Sequence, residues 1–279
     1  MKVSVVSYSL TQQPQTLVEW ESRLVTEIKE LITESEIILY PELFLMGLSD
    51  YFSGDLEKQY VDIANYTYQT LLPKITDLLK KKNILLCLGS GPRLQDDKLY
   101  NTSALWVKDT WVFQDKIHLT PWETSFEAGR EVKLFDFKGM RAACVICFDM
   151  EQPGLALYLK KAGVDLILCP SATTNKNGNQ RVNRCASSRA VELGCAVFVS
   201  PLVGQSKCDL VDHNEGRQGF FLPAQEAVIV DQEQFSEYSN TKYVIQDYHL
   251  DTGMLKELKK KDSETKPYFK DDLISIFSN

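Results

Sequence analysis

The residues best suited to chemistry in this sequence stand where apolar runs break off. The β-prone stretch Arg141-Ala-Ala-Cys-Val-Ile-Cys147 ends abruptly in Phe148-Asp149, with Pro153-Gly154 close behind. A cysteine on a sharp strand exit is where a nucleophile is placed. Its sulfur stands clear of the sheet, and the amide N–H groups that follow, beginning with Phe148, are free to hold an oxyanion. Taken alone, such a cysteine reads more readily as a small buried hydrophobe, so its standing depends on company elsewhere in the chain. Cys144 does not provide that company. In a strand of period two, positions three apart point to opposite faces, so the pair shares neither a metal nor a disulfide, and Cys144 is assigned to the core.

Glu42 and Lys116 do provide it. Glu42 follows Tyr40-Pro41 and precedes Leu43-Phe-Leu-Met-Gly47, which embeds a carboxylate in one of the most apolar stretches of the chain. Burial raises the pKa of such a group and makes it a usable proton carrier; the competing reading is a glutamate held by a structural arginine. Lys116 closes a strand and opens Lys116-Ile-His-Leu-Thr-Pro-Trp-Glu123, where a fixed cation meets a turn, a histidine and a second carboxylate. A thiol attacks at neutral pH only as thiolate or beside a base. Glu42 can take the proton, and Lys116 can stabilise negative charge developing on a substrate carbonyl.

Composition narrows the setting. The 279 residues are 44% hydrophobic and 25% charged, which suits a globular chain with a large core. A formal net charge of -7 argues against nucleic acid or an anionic membrane as the main partner. No segment approaches the roughly 18 apolar residues of a membrane span, and no signal peptide is expected at the N-terminus. Seven cysteines at irregular spacing suit a reducing compartment, so the cytoplasm is the expected location. With three scattered histidines and no zinc-like cysteine spacing, neither a metal site nor a papain-like pairing of His118 with Cys147 is expected, and the chemistry calls for no cofactor.

The elements that must position these residues alternate. A strand over Val3 to Tyr8, a helix with Leu17, Trp20, Leu24, Ile28 and Leu31 on one face, a strand over Glu36 to Tyr40, a helix around Tyr68 to Leu79 and a strand over Ile84 to Gly89 form an α/β layer. Two hairpins follow, Asn101 to Asp115 around Asp109 and Val132 to Cys147 around Lys138-Gly139, which makes the sheet mixed. A helix over Leu155 to Ala162, a strand over Val164 to Cys169, a helix over Gln180 to Leu193 ended by Gly194, and a strand over Cys195 to Ser200 complete the main body. Strands are expected near Ala227 to Val230 and Lys242 to Leu250, with a last helix around Met254 to Lys260. Three strands are expected to end at Pro41, Pro170 and Pro201, forming one rim where a ligand would collect. No linker divides the chain, so 1–279 is read as a single domain.

Four motifs, Pro41-Glu42-Leu-Phe-Leu-Met-Gly47, Lys116 to Glu123, Cys147-Phe-Asp149 and Arg189-Ala-Val-Glu192, resemble in order and rough spacing the nitrilase superfamily of carbon-nitrogen hydrolases. The resemblance runs from Met1 to about Pro223. It implies an α+β fold, a four-layer αββα sandwich with mixed sheets, usually doubled into a homodimer or higher homo-oligomer through α faces. It also implies Glu42 as base, Lys116 as oxyanion stabiliser together with the Phe148 N–H, Cys147 as nucleophile and Glu123 as a second carboxylate, with Glu127 nearby as the alternative for that last role. Many members carry glutamate after the proline equivalent to Pro153, where this chain has Gly154. The stretch Pro170 to Arg181 resembles an amidase-like branch.

The expected activity is therefore hydrolysis of the C–N bond of a small polar amide through a cysteine thioester; the alternatives are a catalytically idle binding module and an acyltransferase. The loop Ser171 to Gly178, with the hydroxyls of Ser171 and Thr173 and the cation of Lys176, is the expected substrate lining, against its reading as a solvated turn.

Overall fold

The alternation of Val3 and Val5 against Val6 and Tyr8 divides the core in two. In the computed structural model, which describes residues 1–260 apart from Gln12, Glu226, Ala227 and Ile229, strand β1 (Lys2–Ser9) sends the first pair to one apolar cluster and the second pair to another. Strands β2 (Ile37–Leu39), β3 (Leu85–Gln95) and β4 (Lys98–Val107) split likewise: Ile37, Leu85 and Leu105 go one way, Ile38, Leu86 and Ala104 the other. A two-residue period requires this, and a sheet apolar on both faces must be covered on both.

One cover is helical. Helices α1 (Leu17–Glu34), α2 (Leu56–Tyr66) and α3 (Leu72–Leu79) lay Trp20, Leu24, Ile28, Tyr60, Ile63 and Ile75 on the second cluster. Helix α1 starts in a capping box, with Thr16 accepting from the Glu19 N–H while the Glu19 side chain accepts from the Thr16 N–H.

The other cover is a second sheet. The first sheet runs from β1 through β2, β3 and β4 to β5 (Thr110–Asp115). The second contains β6 (Leu134–Phe137), β7 (Met140–Cys144), β8 (Leu166–Ala172) and β9 (Ala196–Gln205), with β10 (His213–Asn214), β11 (Gly219–Phe221) and β12 (Glu233–Phe235) added beyond. Among the described residues the two join where Tyr8 and Ser9 pair with Leu202 and Val203. Strand β13 (Val244–His249) returns antiparallel along β1. Helices α4 (Pro153–Ala162) and α5 (Lys176–Leu193) contribute Ala156, Val182, Ala186 and Ala190 to the cluster of the second sheet, and α6 (Thr252–Lys260) contributes Leu255. This is the nitrilase-type arrangement of mixed sheets flanked by helices.

Several expectations need correction. Strands β8 and β9 do not stop at their prolines but run through them, to Ala172 and Gln205. A proline is tolerated in a strand where its missing N–H is not demanded. The β7 ladder on β8 ends at Leu168, and Pro201 lies between the β11 ladder, which ends at Val199, and the β1 ladder, which begins at Leu202. Only β2 stops before its proline. Strand β7 ends at Cys144, three residues short of Cys147, and β3 continues past Gly89 to Gln95. Helix α2 was not anticipated; it is capped by Asp55 and passes through a π turn, Thr67–Leu71, into α3. The strand expected over Ala227 to Val230 falls largely outside the described residues.

The bulge in β3 between Cys87 and Ser90 bears directly on Glu42. Gly89 sits there at φ +58, and a Cβ on it would lie 2.1 Å from the Pro41 carbonyl oxygen. Left-handed backbone and a backbone clash together disfavour any side chain. Gly89→Ala is expected to cost about 2–4 kcal/mol in urea unfolding. A loss below about 1 kcal/mol would mean that the bulge yields freely and does not fix Pro41.

Candidate active site

Three chain breaks deliver the candidate residues. After β2 the Tyr40 N–H bonds to the Cys87 carbonyl, and Pro41 and Glu42 turn away from the sheet into Leu43 at φ 55. Lys116 follows β5 directly; its N–H donates to the Asn101 carbonyl and its own carbonyl accepts from the Gly129 N–H. After β7 the Val145 N–H still bonds to the Leu168 carbonyl, and Cys147 then opens a 3-10 turn (Cys147–Glu151) at φ 44. Positive φ at a leucine and at a cysteine is uncommon and concentrates at functional sites.

The side chains meet in a closed, buried ring. Lys116 Nζ lies 2.8 Å from Glu42 Oε1 and 2.6 Å from Glu123 Oε2. The Asn101 amide donates to both carboxylates, at 3.1 Å to Glu42 Oε1 and 2.9 Å to Glu123 Oε1. Glu42, Lys116 and Glu123 are each no more than 2% exposed. Glu42 Oε2 accepts the Ala172 N–H at 2.9 Å, which ties the ring to the end of β8. The Cys147 thiol lies 3.4 Å from the Ser171 hydroxyl and 3.5 Å from the carbonyl of Ala172, the residue whose N–H bonds to Glu42. As the second residue of its turn, Phe148 has an N–H with no acceptor inside that turn.

The electrostatics separate the two glutamates. Burial, with a further push from the Glu123 charge, raises the Glu42 pKa despite the Lys116 ammonium beside it. Burial would also raise Glu123, but Lys116, the Thr120 N–H and Asn101 outweigh it and hold that carboxyl below the usual range. Burial alone would lower Lys116, yet the two carboxylates outweigh it and keep the ammonium charged. Burial and the Glu42 charge push the Cys147 thiol up, so the resting pair is a neutral thiol beside a proton acceptor. Such a site can activate a thiol by proton transfer and present a fixed cation to a developing oxyanion.

Glu42, Lys116 and Glu123 thus converge with Cys147 beside them, and Glu127 stands apart from them. Glu127 is exposed, with Lys98 as its counter-ion at 3.6 Å. Of the loop residues, Ser171 reaches the sulfur itself. The Thr173 hydroxyl is committed to the Glu215 carbonyl at 3.0 Å, and Lys176 is exposed, its Nζ 5.6 Å from the centre of the Tyr238 ring. His118 turns to Asp149 rather than to Cys147. Cys144 is buried, as expected of core. Gly154 has nothing within 4 Å of where a Cβ would sit. Sequence reasoning missed Asn101 and Ser90, whose hydroxyl donates to Asn101 Oδ1 at 2.6 Å and accepts the Leu43 N–H at 3.0 Å. The available signal was the polar run Asn101-Thr-Ser103 inside an apolar strand. Among the described residues no group of three or more His, Cys, Asp or Glu is placed to hold a metal ion.

Comparison with known proteins adds a family. The carbon-nitrogen hydrolase family profile matches residues 2–232. A probable hydrolase of Bacillus subtilis, YhcX, is 32% identical over 198 residues, covering 68% of this chain and 38% of that protein. The yeast omega-amidase NIT3 is 28% identical over 174 residues, 57% of this chain and 58% of the relative, so the matches span about half of these relatives' lengths. The crystal structure of Saccharomyces cerevisiae Nit3 superposes with a TM-score of 0.69 over 93% of each chain at 20% identity. That of an amidase from Nesterenkonia sp. gives 0.70 over 92% of each chain at 17% identity. Both structural likenesses are likenesses of fold.

The raised Glu42 pKa sets the pH dependence of the thiol. As pH falls through that pKa the acceptor is protonated, so the rate of Cys147 alkylation by iodoacetamide is expected to fall at a pH above the ordinary glutamate value of about 4.3. In Glu42→Gln the rate should drop at least about 10-fold and the acid limb should vanish. An unchanged limb in that variant would show that Glu42 does not govern the thiol.

Proposed function

The chain belongs to the carbon-nitrogen hydrolase family, and from that premise we propose that it hydrolyses the C–N bond of a small polar amide through a thioester on Cys147. The observation that carries this reading is the meeting of Glu42, Lys116 and Cys147 from three separate segments in one buried site. Relatives named as amidases, at 29% identity or below, are in keeping with it.

In this mechanism Glu42 accepts the thiol proton as the sulfur attacks the amide carbon. The carbonyl oxygen gains negative charge, which Lys116 and the Phe148 N–H stabilise. Collapse of the tetrahedral species breaks the C–N bond, and Glu42 hands its proton to the departing amine. Water then attacks the thioester with Glu42 again taking a proton, which passes to the sulfur as it leaves. Glu123 keeps Lys116 cationic throughout. Ser171, in contact with the sulfur, steers the nucleophile, and the substrate is a small molecule with nucleic acid and membrane as no part of its recognition. No helix among the described residues is long and apolar enough to cross a membrane, and the cytoplasmic setting rests on the irregular cysteine spacing of the sequence. We read the exposed Leu157 and Tyr158 of α4 as the contact of a homodimer through its helical face. The whole chain is read as one domain.

Incubation with a panel of small amides, ω-amides and N-carbamoyl compounds, followed by intact-mass measurement, is expected to reveal an acyl adduct on Cys147. Lys116→Ala should slow its formation about 100- to 1,000-fold. Cys147→Ala should abolish turnover, whereas Cys144→Ala and Cys87→Ala retain it; equal loss in all three would assign the cysteine to folding.

A further inference from the structure

Lys116 and Cys147 reach the candidate site on different sheets. Lys116 follows β5 of the first sheet and Cys147 follows β7 of the second, and no ladder pairs those strands. A cation that is to meet an oxyanion held next to the sulfur needs a link between the two segments close to both residues.

The Asp149 carboxylate forms that link. It lies two residues beyond Cys147 in the same turn and is only 3% exposed. Its Oδ1 accepts the His118 N–H at 2.7 Å and lies 2.8 Å from His118 Nδ1, while its Oδ2 accepts the Ile117 N–H at 3.1 Å. The two backbone donors belong to the residues directly after Lys116. Both carboxylate oxygens are used, each on its own N–H. An asparagine would offer one oxygen and turn its NH₂ toward a donor, so the carboxylate is the group this geometry selects.

We propose that Asp149 is a positioning residue that latches the Lys116 segment onto the Cys147 turn and thereby sets where the Lys116 ammonium stands relative to the sulfur. The inference rests on the reading of Lys116 as the oxyanion-side cation given above. It assigns Asp149 no contact with substrate. Misplacing a catalytic group by about 1 Å can cost about 100-fold in rate, and a cation used in the transition state affects kcat more than KM.

Asp149→Asn is therefore expected to lower kcat about 10- to 100-fold per active site, with KM within about 3-fold, the sites being counted by iodoacetamide labelling of Cys147. His118→Ala, which removes the ring contact and keeps both backbone bonds, should lose about 3- to 10-fold. In a Lys116→Ala background each change should cost less than about 2-fold further, because the cation it aligns is gone. A purely structural Asp149 would reduce the number of labelled sites and leave the rate per site alone. Unchanged rates per site, or losses that multiply with Lys116→Ala, overturn the latch. Should Asp149→Asn fail to fold, the His118→Ala cycle decides by the same criteria. A wild-type chain that forms no acyl adduct with any amide overturns the hydrolase reading and the latch with it. One that turns over normally, with Asp149→Asn equally fast per site, overturns the latch alone.

Discussion

A buried ammonium governs the arrangement of this molecule. Lys116 is 2% exposed, and a charge that far from water is tolerable only with counter-charges in contact. Glu42 and Glu123 supply them at 2.8 and 2.6 Å, and Asn101 closes the ring by donating to both. Because the two counter-charges come from the end of β2 and the turn after Thr120, and the amide that bridges them from β4, the ion is satisfied only when the first sheet is assembled. The second sheet then adds the sulfur and the Ala172 N–H. Folding and assembly of the candidate site are in this sense one event.

The ring leaves the backbone little freedom. Leu43 and Cys147 both hold left-handed conformations, which cost about 1–3 kcal/mol each for residues with side chains. Each is held by its surroundings. The Leu43 N–H bonds to the Ser90 hydroxyl, and that hydroxyl is anchored on Asn101. The Asp149 N–H, two residues after Cys147, bonds back to the Ile146 carbonyl and shapes the turn. In both places the strain turns a side chain out of the run of its strand and toward the ring.

Glu42, Lys116 and Cys147 were legible because each interrupts a local pattern: a carboxylate in an apolar run, a cation at a strand end, a thiol at a strand exit. Asn101 was legible only as part of a polar run, since an asparagine in a strand carries no mark of which carboxylates beyond the ends of neighbouring strands it will face. The prolines misled for a related reason. Pro170 and Pro201 read as stops, but whether a strand needs a given N–H depends on where its neighbours' ladders end, which is a property of the sheet. The polar loop Ser171 to Gly178 was legible as unusual but not in its parts. Asn175 caps α5, Thr173 is bonded to the Glu215 backbone, and only Ser171 faces the sulfur. An α/β layer with a mixed sheet was legible from the alternation of strands and helices, and the sandwich only from the resemblance the four motifs carry, whereas α2 was hidden because its buried face is only Tyr60, Ile63 and Ala64.

The two glutamates show how one cation can serve opposite ends. Glu123 collects four donors, Lys116, the Thr120 N–H, the Thr120 hydroxyl and Asn101, and these outweigh burial so that its carboxyl stays ionised. Glu42 collects three, Lys116, Asn101 and the Ala172 N–H, and there burial and the Glu123 charge nearby prevail, so its affinity for a proton rises. In the proposed reaction the proton released at Cys147 goes to Glu42. Passing it to Glu42 removes one of the two negative charges around Lys116 and leaves the Lys116–Glu123 pair intact. The ammonium keeps a counter-ion in both protonation states of its neighbour, which is what a cation must have if it is to remain charged while protons move beside it.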